Sequence, residues 1–146
     1  MKKLAVAAMT TALFAAPALS DGHASGDAVK GEKIWNKCKS CHMIVADDDT
    51  VIQKGGRTGP NLWGVVGRTA GTADFKYGAS TKAAGEAGLV WTEEQFVVYV
   101  ADPKKFLQTF LDDSGAKSKM TFRLKKAEEA ADVWAYLASV SPTPES

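Results

Sequence analysis

The chain has 146 residues, of which 24% are charged and 45% are apolar, so it has room for one domain of ordinary globular composition. Its 18 Lys and Arg side chains nearly balance 17 Asp and Glu side chains, so recognition by charge must depend on how the charges are distributed. The sequence has no internal repeat, no nucleotide-binding glycine fingerprint and no basic tail, which argues against binding to nucleic acid.

Residues 1–20 have the organisation of a secretory signal peptide. A start with two lysines precedes an apolar run, and the small residues Ala18 and Ser20 suit a signal peptidase. The run is shorter than the about 20 apolar residues that a membrane-spanning helix needs, so we expect export to the periplasm and no stable membrane insertion. Cleavage is expected after Ser20, with cleavage after Ala24 as the alternative, and residues 21–146 are expected to form a single domain.

A first helix is predicted from a cap at Ser25 or Asp27 to about Cys38. Gly31 lies in its middle, where glycine costs about 1 kcal/mol relative to alanine. Such a glycine either lets a second helix approach closely or is simply tolerated, and the sequence leaves both explanations open.

The stretch Cys38-Lys39-Ser40-Cys41-His42 carries the chemistry. Two cysteines separated by two residues and followed by histidine are typical of a c-type haem attachment site, in which both thiols form thioethers and the histidine ligates iron. On one helical turn, side chains three apart can reach the same porphyrin edge. A redox dithiol would need a surrounding βαβ pattern, which this sequence lacks. A structural zinc site would need about four nitrogen or sulfur ligands, and the whole chain has only two Cys and two His. We therefore predict one covalently attached haem c.

Two loops are predicted after this stretch. Residues 43–59 contain three consecutive aspartates and a glycine pair, which indicates a surface loop. It leads into Pro60, whose carbonyl can accept the second ring N–H of a metal-bound histidine. Residues 63–79 are rich in glycine and aromatic residues without a sustained period, and we expect them to wrap over an apolar group.

Four helices are predicted in the remainder. A helix over residues 80–87 is closed by Gly88, and Thr92 to Gln95 forms a capping box ahead of an apolar run that stops before Pro103. A short helix begins at Pro103 and runs through Leu107, and residues 108–119 are polar loop. The clearest helix, over residues 127–139, has apolar residues on one face, and we expect Trp134 and Leu137 to pack near Gly31 and Trp35.

Whether the iron has a second protein ligand besides His42 decides between electron transfer and chemistry at an open iron site. The other candidates are poor, because they lie at the cleavage region (His23), leave with the signal (Met1, Met9) or adjoin His42 (Met43). Met120 remains as the sixth ligand, the alternative being a methionine that fills a gap in the core. A thioether favours ferrous iron and raises the reduction potential, and two protein ligands leave no open site, which argues against catalysis.

Several motifs occur in an order that resembles class I cytochromes c, and most closely the bacterial cytochrome c2 group. The resemblance runs from about Gly31 to Leu137. It implies an all-α fold of about five helices, with long loops wrapped around one covalently bound haem and with the N- and C-terminal helices packed together. The motifs are Cys38 to His42, Thr58 to Leu62, Gly67 to Gly71, Trp91, Tyr99 with Asp102 to Lys105, Lys119-Met120 with Phe122, and Ala135 to Leu137.

The resemblance also implies roles for single residues. Pro60 would accept from His42; Arg68, Tyr77 and Trp91 would approach the haem propionates; and Tyr99 would lie near the Met120 sulfur. The alternative to a role at the haem is that Tyr99 and Trp91 are ordinary aromatic residues of the core. The segment 108–118 is longer than in mitochondrial relatives, and Trp63 stands where the family often has tyrosine or histidine, so it is assigned no ligand role.

The expected function is a soluble, monomeric periplasmic electron carrier and not an enzyme. The family implies a cytochrome bc complex as donor and a photosynthetic reaction centre or a terminal oxidase or reductase as acceptor. Docking on acidic partners is expected through the basic residues Lys37, Arg57, Lys104, Lys105 and Lys119. The alternatives are a haem enzyme or gas-binding sensor with an open distal site, and a haem domain fixed in a larger complex.

Overall fold

The structure, a computed structural model, describes residues 24–142. The predicted signal peptide and its cleavage after Ser20 lie outside the described residues, as does His23. Within the described range the chain forms five α-helices and one short hairpin of two antiparallel strands, and no helix there has the length and apolar character that crossing a membrane requires. The elements are α1 (Ala28–Ile34), β1 (Ile44–Val45), β2 (Val51–Gln53), α2 (Ala79–Glu86), α3 (Glu93–Ala101), α4 (Pro103–Phe110) and α5 (Ala127–Val140).

Asp27 caps the start of helix α1, because its carboxylate accepts from the N–H groups of Val29 at 2.9 Å and Lys30 at 3.1 Å. These bonds satisfy two amides that a helix start leaves unpaired. Ser25, the other predicted cap, instead donates its backbone N–H to the Glu93 carboxylate. The helix ends at Ile34, and one turn of 3₁₀-helix then leads to Cys38.

The two terminal helices cross at Gly31, as expected for this fold class. A Cβ at that position would lie 1.9 Å from the Asp132 carbonyl oxygen and 2.8 Å from the Cβ of Tyr136. Of the two explanations for this glycine, close approach of a second helix is therefore the right one. The nearest side-chain atom belongs to Tyr136, while Trp134 packs on Phe96 of α3 with ring centroids 5.3 Å apart.

A short hairpin stands where the sequence predicted only a surface loop. Val45 pairs with Val51, and Ile44 is fully buried. The side-chain amide of Asn61 continues the pairing, because it donates to the Val45 carbonyl at 2.7 Å and accepts from the Val45 N–H at 3.1 Å. The prediction of loop over residues 43–59 was therefore wrong for the strand residues, which are too few to show an alternating pattern.

The middle helices follow their sequence signals. Gly88, at a φ of 93°, closes α2, and the next residue, Leu89, donates to the Ala84 carbonyl as in a Schellman motif. The Thr92 hydroxyl caps α3, and Pro103 occupies the first turn of α4. Helix α4 continues to Phe110 rather than Leu107, which corrects the predicted loop at residues 108–110.

The buried apolar residues form two clusters, and the first of them borders a cleft. One joins α1, α3 and α5 around Trp35, and the other joins α2 and α4 around Leu107. Trp91 and Tyr99 are partly buried and pack against both clusters. These two aromatic residues join the clusters and also line the cleft.

Candidate haem-binding site

The cleft is a cavity of about 360 Å³. It lies between the turn that carries Cys38 to His42, here called the attachment turn, the segments around residues 58–81 and the segment at 119–122. Apolar side chains from the first cluster, including Val65, Phe96, Val100 and Val133, form much of its wall. Its other lining residues include these predicted site residues: Lys37, Cys38, Cys41, His42, Pro60, Arg68, Tyr77, Trp91, Tyr99, Lys119 and Met120.

The attachment turn is held by its own backbone. The amides of Cys41 and His42 both donate to the Cys38 carbonyl, at 3.1 and 3.0 Å. Burial raises the pKa of the Cys38 thiol to about 11, whereas hydrogen bonds with the Thr58 and Ser40 side chains lower the pKa of the exposed Cys41 thiol. Both thiols therefore open on one cavity, one from its apolar wall and one from its rim.

The imidazole of His42 is fixed in one tautomer. Its Nδ1 lies 2.8 Å from the Pro60 carbonyl oxygen, and because a carbonyl only accepts, Nδ1 carries the proton and Nε2 keeps a lone pair. Burial lowers the pKa of this histidine, against a smaller opposite effect of the Pro60 bond, so the ring is neutral as a metal ligand must be. The position next to Pro60 must be glycine, since a Cβ on Gly59 would lie 2.5 Å from His42 Cε1.

The Pro60 carbonyl is itself positioned from behind. Asn61 is locked to β1 through its side-chain amide, and Leu62 donates its N–H to the Met43 carbonyl at 3.0 Å. Arg68 donates to the carbonyls of Trp63 at 2.9 Å and Asn61 at 3.2 Å. The segment around Pro60, which holds the histidine, is thus fixed through hydrogen bonds of its own backbone and of the Asn61 side chain.

Polar groups meet at another part of the cavity. Burial lowers the pKa of the Arg68 guanidinium, and burial raises the pKa of Tyr77, which the Arg68 charge opposes. Burial also raises the pKa of Tyr99, with a hydrogen bond to Ser118 acting the other way. Trp91 packs edge-on against Tyr99 at 4.9 Å. Protonated tyrosines and a guanidinium are donors that suit carboxylates such as haem propionates.

Met120 reaches the same cavity from the segment before α5. Its N–H donates to the Ser118 hydroxyl at 3.1 Å, and that hydroxyl donates to the Met120 carbonyl at 3.0 Å. Sequence analysis missed this serine, because a serine in a polar segment does not by itself indicate which backbone groups its hydroxyl will bond.

The five predicted docking residues are exposed but do not share one place. Lys37 and Lys119 line the cavity, and Lys37 forms an ion pair of 2.6 Å with Glu129. Arg57 lines a separate groove below the hairpin. Lys104 and Lys105 occupy the first turn of α4, outside the set of described residues that line the cavity.

Other lining residues were missed at the sequence level. Thr58 and Gly59 lie in a motif whose significance was assigned to Pro60 alone, and their contacts with Cys41 and His42 give them a place of their own. Phe122 lines the cavity while 39% of its side chain remains exposed, so it marks the mouth. Its position two residues after Met120 in a polar stretch was the available signal.

The residues present fit a porphyrin. Two thiols and a neutral imidazole come from one turn, a thioether comes from another segment, the walls are mainly apolar, and donors for carboxylates stand at one side. An attached haem has a group to match each of them: vinyl-derived carbons for the thiols, iron for the imidazole and thioether, an apolar ring for the walls and propionates for the donors. The structure brings all of these residues to a single cavity.

Comparison with known proteins agrees with this site. The model of the family described as cytochrome c matches residues 28–141. Cytochrome c-551 of Roseobacter denitrificans is 63% identical over 118 residues, which covers 81% of this chain and 84% of that protein. Cytochrome c2 of Rhodobacter capsulatus is 56% identical over 133 residues, which covers 90% and 96%. The crystal structure of cytochrome c2 from Rhodobacter sphaeroides superposes with a TM-score of 0.79 at 54% identity, over 82% of this chain and 100% of that one.

The match extends over nearly all of the described residues and includes the attachment turn, the cavity walls and both terminal helices. The relatives share the class I fold that the sequence predicted, so the expected fold is confirmed. One covalently attached haem c and a role in electron transport follow from the same matches. The chain belongs to the cytochrome c family.

Proposed function

We propose that this chain is a periplasmic one-electron carrier in which His42 and Met120 ligate the iron of a haem bound through Cys38 and Cys41. The observation that carries the proposal is the shared cavity: the attachment turn and the Met120 thioether, which come from segments nearly 80 residues apart, line the same space. With protein ligands on both sides, no position is left for a substrate.

The chain's own residues account for the carrier's behaviour. Bound haem c supplies the iron that takes up and releases one electron. Pro60 and Gly59 hold the His42 ring in one orientation, so this imidazole would be a ligand of fixed geometry. The apolar walls exclude water, which favours the less charged state and supports a high potential. Because the ligands do not change, little reorganisation accompanies electron transfer.

Electron exchange is proposed at the cavity mouth, where Cys41 and Phe122 are exposed. The partners would be a cytochrome bc complex and a photosynthetic reaction centre or a terminal oxidase or reductase. Exposed Lys37, Arg57, Lys104, Lys105 and Lys119 would steer the monomer onto acidic partner surfaces. If so, the rate of electron delivery falls steeply with ionic strength, and a rate independent of salt would refute the steering role.

An optical and redox titration of the purified haem protein tests the ligation. We expect the far-red absorbance band of ferric haem bound by a methionine sulfur in the wild type and in Met43→Leu, and its loss together with a lower potential in Met120→Leu. Met43 is the matched control because it undergoes the same chemical change next to the ligand His42. Absence of the band in the wild type, with rapid carbon monoxide binding, would instead support a haem enzyme or gas-binding sensor.

Export is tested separately, by the mass of the protein isolated from the periplasm. A chain that begins at residue 21 or residue 25 supports a cleaved signal peptide. An uncleaved chain that stays with a membrane complex would favour a fixed subunit over a diffusing carrier.

A further inference from the structure

The groove below the hairpin, which is distinct from the haem cavity, has an apolar lining. Its apolar residues are Met43, Val45, Ala46, Val51 and Phe75. Val51 is 50% exposed and the other four are only partly buried, so part of this lining is open to solvent. The groove has a volume of about 640 Å³, which lies within the range of ligand sites in proteins, roughly 300–1,000 Å³. We call it the hairpin groove.

Four exposed charged residues also line the hairpin groove. Asp47, Asp49 and Asp74 supply three negative charges and Arg57 supplies one positive charge, so the net charge of the groove is −2. Among residues 24–142 the ion pairs are formed by other side chains, so none of these four charges is neutralised by a partner within that range. A ligand that carries positive charge beside an apolar group is therefore complementary to the groove.

The three carboxylates are not arranged as a metal site. Within the described part of the chain, no group of three or more histidine, cysteine or acidic side chains is placed to hold a metal ion. Asp47 and Asp49 lie between β1 and β2, whereas Asp74 lies in the segment before α2. Charges that come from two separate segments suit a ligand with several cationic groups better than they suit a single ion.

The hairpin groove shares one wall with the haem cavity. Phe75 lines both, and its ring packs edge-on against Tyr77, another lining residue of the cavity, with ring centroids 5.1 Å apart. A group bound in the groove would therefore lie beside the haem site. Lys37 and Lys119 line the cavity, so a basic surface and an acidic surface are neighbours. Complementary charge patterns of this kind fix how two proteins are oriented when they meet.

We propose that the hairpin groove is a docking site for a segment of a partner protein that carries an apolar side chain between cationic ones. The apolar side chain contacts the partly buried lining, and the cationic groups pair with Asp47, Asp49 and Asp74. A partner protein is the occupant that fits, because the groove adjoins the site of electron exchange; in this respect the inference rests on the proposed function. It does not depend on Met120 as a ligand, and it places Arg57 in an acidic groove, apart from the basic residues at the cavity.

Short peptides test the groove in the absence of a partner. The probe is N-acetyl-Arg-Phe-Arg-amide, added to the ¹⁵N-labelled ferrous haem protein and followed by NMR chemical shifts. We expect saturable shifts at the amides of Val51 and Phe75. Binding should be weaker for the Arg-Gly-Arg peptide, which lacks the apolar side chain, and for Glu-Phe-Glu, which reverses the charge. Equal binding of the three peptides, or no saturable shift at these amides, would overturn the proposal.

Asp74→Asn and Asp49→Asn each remove one carboxylate from the groove and keep the shape of the side chain. Asparagine also tolerates the φ of 66° at residue 49. Because an exposed ion pair contributes modestly, each variant should bind the Arg-Phe-Arg peptide roughly two- to fivefold more weakly than the wild type. Asp48→Asn is the matched control: it removes the same charge from the same turn, Asp48 is not among the described residues that line the groove, and asparagine keeps an oxygen for the Thr50 N–H. A loss as large in this control would reduce the effect to general charge and refute the site.

Electron transfer distinguishes the two modes of docking by the sign of the effect. The measurement is the rate at which membranes of the native cell oxidise the ferrous protein. Steering of a basic surface onto acidic partners predicts that loss of one aspartate leaves this rate unchanged or raises it. Docking through the groove predicts a rate constant roughly two- to fivefold lower for Asp74→Asn, with Asp48→Asn at or above the wild-type value. A faster Asp74→Asn protein would overturn docking in the groove.

A second copy of the chain is the other occupant that the charges permit, since Lys37 and Lys119 could supply the cationic groups. Dilution of the protein without peptide tests it. Shifts of the Val51 and Phe75 amides on dilution would show that another copy occupies the groove, and would overturn the assignment to a partner. If the wild type lacks the methionine-dependent absorbance band, the proposed ligation fails, whereas the peptide titration still decides whether the groove binds a cationic apolar segment.

Discussion

The crossing of α1 and α5 makes Gly31→Ala the most informative test of the fold. By helix propensity alone, alanine would stabilise α1 by about 1 kcal/mol. The structure predicts the opposite sign. The added Cβ would lie 1.9 Å from the Asp132 carbonyl oxygen, so the helices must separate by about 1.5 Å to restore an ordinary contact of 3.4 Å.

The magnitude follows from how little the neighbours can yield. The nearest atoms are the Asp132 backbone and the Cβ of Tyr136, and neither can rotate away. Overpacking of a tight site costs about 1–3 kcal/mol, and a rigid neighbour places this site near about 3 kcal/mol. After subtraction of the propensity gain, we expect a net loss of about 2 kcal/mol and a drop of roughly 8 °C in Tm.

Equilibrium unfolding of the haem protein in denaturant, followed by far-UV circular dichroism, measures the difference. Gly115→Ala is the control, because the nearest atoms to a Cβ there belong to the side-chain carboxylate of Asp113, at 3.1 Å or more, and not to backbone. That control should change stability by less than about 0.5 kcal/mol. A Gly31→Ala protein as stable as the wild type, or more stable, would refute the close crossing.

Three further predictions test the site and its supports. Gly59→Ala should push the His42 ring off its Pro60 acceptor and cost roughly 2 kcal/mol in denaturant unfolding followed by haem absorbance, and an unchanged midpoint would contradict the contact of 2.5 Å. Thr92→Ala should cost about 1 kcal/mol by circular dichroism, since its hydroxyl caps α3, and Thr92→Ser should restore it. The hydrogen bond from Lys37 lowers the pKa of the Glu129 carboxyl. The stability advantage of the wild type over Glu129→Gln should therefore be present above the ordinary carboxyl pKa and disappear as the pH falls through the lowered pKa of Glu129. An advantage that persists in acid would contradict the pairing.

The helices were predictable where a local signal marks their ends. Thr92 before two glutamates, Pro103 after Asp102 and Gly88 after α2 each act within one turn, and the structure uses all three. Helix α4 was predicted too short because Gln108 and Thr109 looked like loop. Its last residue, Phe110, stacks on Phe106 with ring centroids 5.9 Å apart. This i, i+4 contact within the helix supports its last residues, and the spacing of the two phenylalanines was the local signal for it.

The hairpin shows why some structure could not be predicted. Its strands have two and three residues, and part of their pairing comes from the side chain of Asn61, which is 16 residues from Val45. A periodic pattern of apolar residues cannot predict that the Asn61 side chain will pair with the Val45 backbone in the way that a neighbouring strand would. The same limit applies to the site: the attachment turn is a local motif, whereas the hydrogen bond from the Lys117 N–H to the Ser80 hydroxyl joins segments that only the fold brings together.

The two proposed ligands are held by different kinds of support. His42 is fixed by a backbone carbonyl, behind which stand the Asn61 pairing with β1 and the Arg68 bonds, and Gly59 leaves its ring no room to turn. Met120 lies in an irregular segment whose position depends on side-chain hydrogen bonds at the surface. Such bonds open more readily than packed backbone, so the methionine side should be the one that yields first. With these two ligands, the carrier would keep its histidine geometry in both oxidation states, and access to the iron would pass through the Met120 segment.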